Sequence, residues 1–106
     1  MRFGLWYPLA EAADHAPAEP GILQLRLASG LLDYPRGKSA MVHYAYEADT
    51  RAAALALAAA HATGFVCRHL IEFPDATELG TFYAKLRDEF VRRFGAPPAF
   101  PREANR

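Results

Sequence analysis

Residues 22–28, ILQLRLA, set Leu23, Leu25 and Leu27 against Gln24 and Arg26. Side chains on a strand alternate between two faces, so this spacing describes a strand buried on one side. Two later runs have the same character. In AMVHYAYEA, residues 40–48, Met41, His43 and Ala45 share one face, and Val42, Tyr44 and Tyr46 share the other. In GFVCRHLIEF, residues 64–73, Phe65, Cys67, His69 and Ile71 oppose Val66, Arg68, Leu70 and Glu72. Three half-buried strands must share a sheet, and the first two, being consecutive, pair most easily as antiparallel neighbours.

The intervening segments have helical spacing. PLAEAADHA, residues 8–16, forms a short helix with Pro8 in its first turn and Pro17 beyond it. Asp49 and Thr50 are natural N-caps for RAAALALAAAHA, whose many alanines suit a helix lying close against a sheet, with Gly64 as its stop signal. Pro74 and Asp75 open a longer helix over about residues 75–94. There Leu79, Phe82, Tyr83, Leu86, Phe90 and Phe94 recur every three or four positions, and Lys85–Glu89, Asp88–Arg92 and Glu89–Arg93 sit at i,i+4 on the wet side. Gly95, Pro97 and Pro98 end it. The order short helix, strand, strand, helix, strand, helix predicts an α+β fold with a three-stranded, mainly antiparallel sheet and flanking helices.

A chain of 106 residues suits one domain, residues 1–106, with its core over about 17–100 and a frayed tail at 101–106. Its 52% hydrophobic and 23% charged residues are the balance of an ordinary globule. No apolar run approaches the roughly 18 residues of a spanning helix. Pro8, Glu11 and Asp14 interrupt the N-terminal region where a secretory signal would need an unbroken apolar stretch. Cys67 is the sole cysteine, which fits a reducing, cytoplasmic setting. Ten arginines against two lysines, with abundant alanine and proline, match the coding bias of a GC-rich bacterial genome. Net charge is zero with histidines neutral, against a protein that coats nucleic acid by bulk charge. A local basic patch is still open to it.

The densest chemistry lies in LLDYPRGKSAMVHY, residues 31–44. Arg36 and Lys38 are suited to a phosphate, Ser39 adds a hydroxyl, and backbone N–H groups around Gly37 could complete an anion-binding concavity. Tyr34, His43 and Tyr44 would line the same groove. The plain alternative is a solvated turn with an internal Asp33–Arg36 pair. GKS here is not a nucleotide-binding P-loop. Leu32 stands where the first glycine should be, and a strand rather than a helix follows. Cys67, His69 and His43 could supply zinc ligands, but with no second ligand pair a core histidine beside a small buried thiol is the simpler account. His61 near a helix C-terminus is explained by the helix dipole, and Trp6 with Tyr7 by covering the core edge.

The element order, with Pro20, Gly21, Ile22 and Leu23 opening the first strand, resembles the GIY-YIG nuclease superfamily. Leu23 stands in place of the first triplet's tyrosine, and His43, Tyr44 and Ala45 match the second triplet. The last helix followed by Pro97 and Pro98 is similar to the family's closing helix and exit. The resemblance spans about residues 17–100. It implies catalysis by a tyrosine from each triplet, an arginine on the first long helix, and a last-helix glutamate holding one divalent metal. Here the arginine position falls near Ala53, with Arg51 half a turn away. The glutamate position falls near Arg87, beside Asp88 and Glu89, and Pro101 sits near the exit asparagine's place. An arginine in the glutamate's position would repel a cation.

The resemblance therefore implies a degenerate GIY-YIG-like domain. It would bind a phosphate-bearing ligand, nucleic acid or nucleotide, through Tyr34, Arg36, Lys38, Ser39, His43 and Tyr44, with no resident metal or cofactor. Two alternatives stand beside it. One is an active endonuclease using His43, Tyr44 and Glu89 with Mg2+ or Mn2+. The other is a protein-interaction module, a homodimer or a hetero-complex, using an exposed sheet edge or the Trp6–Tyr7 surface.

Overall fold

The computed structural model describes residues 1–101. The expected tail, Pro101 apart, therefore lies outside the described residues. The chain builds β1 (Arg2–Phe3), β2 (Tyr7–Pro8), a 3-10 turn (Leu9–Glu11), α1 (Ala12–His15), β3 (Gly21–Leu27), β4 (Leu32–Tyr34), β5 (Gly37–Ser39), β6 (Met41–Glu47), α2 (Thr50–Ala60), β7 (Phe65–Glu72), a second 3-10 turn (Ala76–Glu78) and α3 (Leu79–Phe94). The α+β class is as the sequence predicts, and β3, β6 and β7 are its three strands. β3 is central, with β6 antiparallel along one side and β7 antiparallel along the other.

Two features correct the sequence reading. The main sheet has five strands rather than three, because β1 and β2 both pair with the outer side of β7. Two-residue strands are too short to show a period of two, and Pro8 in β2 lacks the N–H a strand normally offers. Residues 29–39 also carry strands that the expected element order did not include. β4 and β5 form a separate hairpin around Pro35 and Arg36, with Asp33 opposite Lys38.

The helices cover opposite faces of the sheet. On one side, Leu23 and Leu25 from β3, Ala45 from β6 and Cys67 from β7 pack with Leu9, Ala12 and Ala54 in one buried cluster. A leucine buried this fully stabilises by roughly 1.5–3 kcal/mol. Alanine suits α2 because a small face lets a helix approach the sheet closely. The β3–β6 register slips between Leu25 and Arg26. A bulge of this kind locally breaks the alternation of faces. Val42, the residue left over in β6, joins this cluster instead of facing away as strict alternation required. Asp49 caps α2 as expected, accepting from the Ala52 N–H at 3.0 Å. Thr50 does not serve as a second cap. Its hydroxyl donates to the Glu19 carbonyl at 2.8 Å, tying α2 to the start of β3. That oxygen leaves no room beside Gly21, where an added Cβ would meet it at 2.7 Å.

On the other side, α3 lays Leu79 onto Ile22 and Leu70, with Phe82, Tyr83 and Leu86 around them. The apolar stripe read from the sequence is the face that does this. The α-helix begins at Leu79, later than the expected residue 75, because Asp75 caps a 3-10 turn first, accepting from the Thr77 N–H at 2.9 Å. Gly95 ends it in the left-handed region at φ 87°, where glycine carries no Cβ penalty. Gly64 is also left-handed, at φ 91°, but it turns the chain into β7 rather than capping α2, which already closes at Ala60.

Candidate functional site

Residues 32–39 of the polar cluster form a hairpin held against the end of α3, and 41–44 belong to β6. The last carbonyls of an α-helix lack partners within the helix and attract cations. Arg36 supplies both needs. Its backbone N–H donates to the Phe94 carbonyl at 2.9 Å. Its guanidinium donates to the carbonyls of Val91 at 3.2 Å and Arg92 at 3.1 Å. Gly95 allows the close approach, since a Cβ there would lie 2.9 Å from the Pro35 side chain. Lys38 pairs with Asp33 at 3.0 Å across the hairpin, both well exposed. The Ser39 hydroxyl accepts from the Met41 N–H at 3.1 Å. Tyr34 donates to the Met41 carbonyl at 2.6 Å, accepts from the Ala99 N–H at 3.2 Å, and sets its ring edge-on to Phe90.

The six expected groove residues do not converge. Tyr34 and Tyr44 come together on the α3 side, both against Phe90. His43 belongs to the other side, stacked on Phe100, which in turn stacks on His61 with ring centroids 4.0 Å apart. Burial lowers the His43 pKa, Glu47 opposing and His61 adding to the shift. Glu89 stands exposed on α3 and pairs with Arg92 at i,i+3, rather than with Lys85 or Arg93 at i,i+4. That hydrogen bond from Arg92 draws its carboxyl below the ordinary range.

A second group on the α3 side was not singled out in the sequence. Register places Gln24 opposite Tyr44 on one side and Arg68 on the other. Gln24 is only 2% exposed, although the alternation of β3 suggested a wet face. Its side-chain oxygen accepts from Arg68 Nε at 2.7 Å. The Arg68 guanidinium lies 4.6 Å from the Phe3 ring centre and 4.5 Å from that of Trp6. Arg26, next along the face, sets its guanidinium 4.2 Å from the same Trp6 ring. Burial lowers the Arg68 pKa, and repulsion from Arg26 adds to it, while Tyr44 opposes. Among the described residues, neither arginine forms an ion pair. Trp6, Arg26 and Arg68 are far apart in the chain, and no local pattern joins them.

Oxygen ligands are what Mg2+ or Mn2+ would need. Among the described residues no three His, Cys, Asp or Glu side chains gather to hold a metal ion. No helix of the described residues is long and apolar enough to cross a membrane. The chain matches no protein-family model, and a search of curated proteins finds none similar to it.

Proposed function

We propose that this chain is a GIY-YIG-like domain that binds a phosphate-bearing ligand, nucleotide or nucleic acid, without cleaving it. The family reading draws support from the element order and from the central, antiparallel position of the strand that opens with Gly21. The observation that carries the binding reading is the meeting of Arg26 and Arg68 on Trp6. Arg68 is partly buried beside the like charge of Arg26, and neither has an ion-pair partner among the described residues. A bound anion would relieve both, and guanidinium groups match a phosphate's oxygens in geometry. Tyr34 and Tyr44 extend the same side as aromatic lining. Arg36 and Ser39 hold the hairpin in place, and Lys38 is an outlying cation at its rim.

The test is fluorescence anisotropy with short single- and double-stranded DNA and RNA at two salt concentrations, with and without Mg2+, each sample then run on a gel. Intact oligonucleotide and salt-sensitive binding are expected. Arg26→Ala should weaken binding and reduce the salt slope by about one charge's worth. Equal affinity in Arg26→Ala and the unaltered protein would sink the assignment of the anion subsite. Cleavage that needs Mg2+ and is lost in Glu89→Ala would replace it with the nuclease reading.

A further inference from the structure

On the far side of β7 from Arg68, a cleft of about 370 Å³ opens between Leu5, Trp6, Tyr7, His15, His69 and Ile71. Its floor is a chain of hydrogen bonds. The buried Cys67 thiol lies 3.7 Å from the Tyr7 hydroxyl, which lies 3.0 Å from His69 Nδ1. Burial pushes the thiol up to about 11 and, with Cys67 beside it, pushes the Tyr7 phenol up as well, so both keep their protons. Burial and His15 together lower the His69 pKa, with Glu19 opposing. The neutral chain has two consistent directions. Either the thiol donates to Tyr7 and Tyr7 to Nδ1, with the His69 hydrogen on Nε2, or Nδ1–H donates to Tyr7 and Tyr7 to the thiol, with Nε2 an acceptor. Among the described residues Nε2 has no protein hydrogen-bond partner, and His69 lines the cleft.

The walls are aromatic and apolar. His15 stacks on Tyr7 with centroids 4.5 Å apart. Leu5 is 90% exposed and Ile71 is also exposed, so two large apolar side chains stand in water at the mouth of the same cleft. The volume lies at the small end of the roughly 300–1,000 Å³ typical of ligand sites. Trp6 belongs both to this cleft and to the Arg26–Arg68 pair.

We infer that this cleft lodges an uncharged planar ring with a hydrogen-bonding edge, of nucleobase size, so that the base and the phosphate of one nucleotide meet at Trp6. His69 Nε2 hydrogen-bonds the ring's polar edge, the aromatic wall stacks it, and Leu5 and Ile71 close over its edge. The inference rests on the phosphate reading for the neighbouring subsite, and the cleft itself is a separate observation.

The chain's one tryptophan makes the test direct. Trp6 fluorescence is titrated with adenosine, ribose 5-phosphate and adenosine monophosphate on the unaltered protein, on Leu5→Asp and on Arg26→Ala. Leu5 is exposed enough for Leu5→Asp to fold. All three probes should bind, the monophosphate most tightly. Leu5→Asp should weaken adenosine and the monophosphate about tenfold, the scale of one leucine's lost apolar cover, and leave ribose 5-phosphate unchanged. Arg26→Ala should do the reverse. An adenosine-dependent shift of the His69 Nε2 resonance should accompany binding. Ribose 5-phosphate binding with no response to adenosine and no effect of Leu5→Asp would overturn the cleft and leave the phosphate subsite standing. Adenosine binding with ribose 5-phosphate silent would overturn the phosphate subsite instead. Silence from all three probes would overturn both.

Discussion

Gln24 and Leu25 are neighbours on one strand, and the two sides of the sheet they face are built differently. Leu25 enters a layer of leucine, alanine and valine under α2, where dispersion and water exclusion do the holding. Gln24 enters a layer under and beside α3 that combines an apolar end, at Ile22 and Leu70, with a polar end, where Gln24 holds Arg68 and two arginines share Trp6. The first layer needs only volume and shape. The second needs each polar group matched, since a buried donor or acceptor without a partner costs more than a hydrogen bond gains. A fold with one side closed by shape can hold charge on the other, and the candidate subsite for phosphate lies there.

Adjacent substitutions sharpen the contrast. Leu25→Ala should cost the most, about 2–5 kcal/mol, because the site is fully buried and the alanines around it cannot fill the space. Urea unfolding followed by circular dichroism gives the number, and a cost below about 1 kcal/mol would mean that this layer repacks freely. Gln24→Leu should cost less, about 1–3 kcal/mol, by leaving Arg68 Nε without its acceptor. A stabilised Gln24→Leu would show that the polar end is held as loosely as a surface. The smallest effect is pH dependence on the α2 side. His43 and His69 have pKa values lowered from 6.5 in the folded state. The unfolded chain therefore binds protons first, and stability falls as pH drops below 6.5 towards the lowered folded values. Solvent screening keeps this modest for partly exposed rings. Denaturant midpoints at pH 8 and pH 5.5 should differ, and less so in His43→Phe.

The same contrast decides what the sequence made legible. Leu23, Leu25, Leu27 and the α3 stripe from Leu79 to Phe94 announce themselves because a period of two or 3.6 is a local signal. The class of fold and its three main strands follow from it. β1, β2 and the β4–β5 hairpin are too short to carry any period. The charged run from Asp33 to Lys38 was legible as a cluster, yet the carbonyls that Arg36 serves belong to Val91, 55 residues away. The proposed anion subsite was hidden for the same reason. Arg26 and Arg68 each read as one residue on the polar side of a strand, and only the register of β3 against β7 brings them to one tryptophan.

The clasp between Arg36 and the end of α3 also has a consequence in time. The hairpin emerges from the ribosome early, while the carbonyls of Val91, Arg92 and Phe94 are among the last parts of the described chain to be made. Contacts between such distant residues must wait for the whole intervening chain, and they close late. Until then the three-residue strands β4 and β5 have little to hold them, as an isolated hairpin is marginal in water. Tyr34 can reach its seat against Phe90 only once α3 has been made, so the aromatic lining of the proposed groove needs nearly the whole described chain.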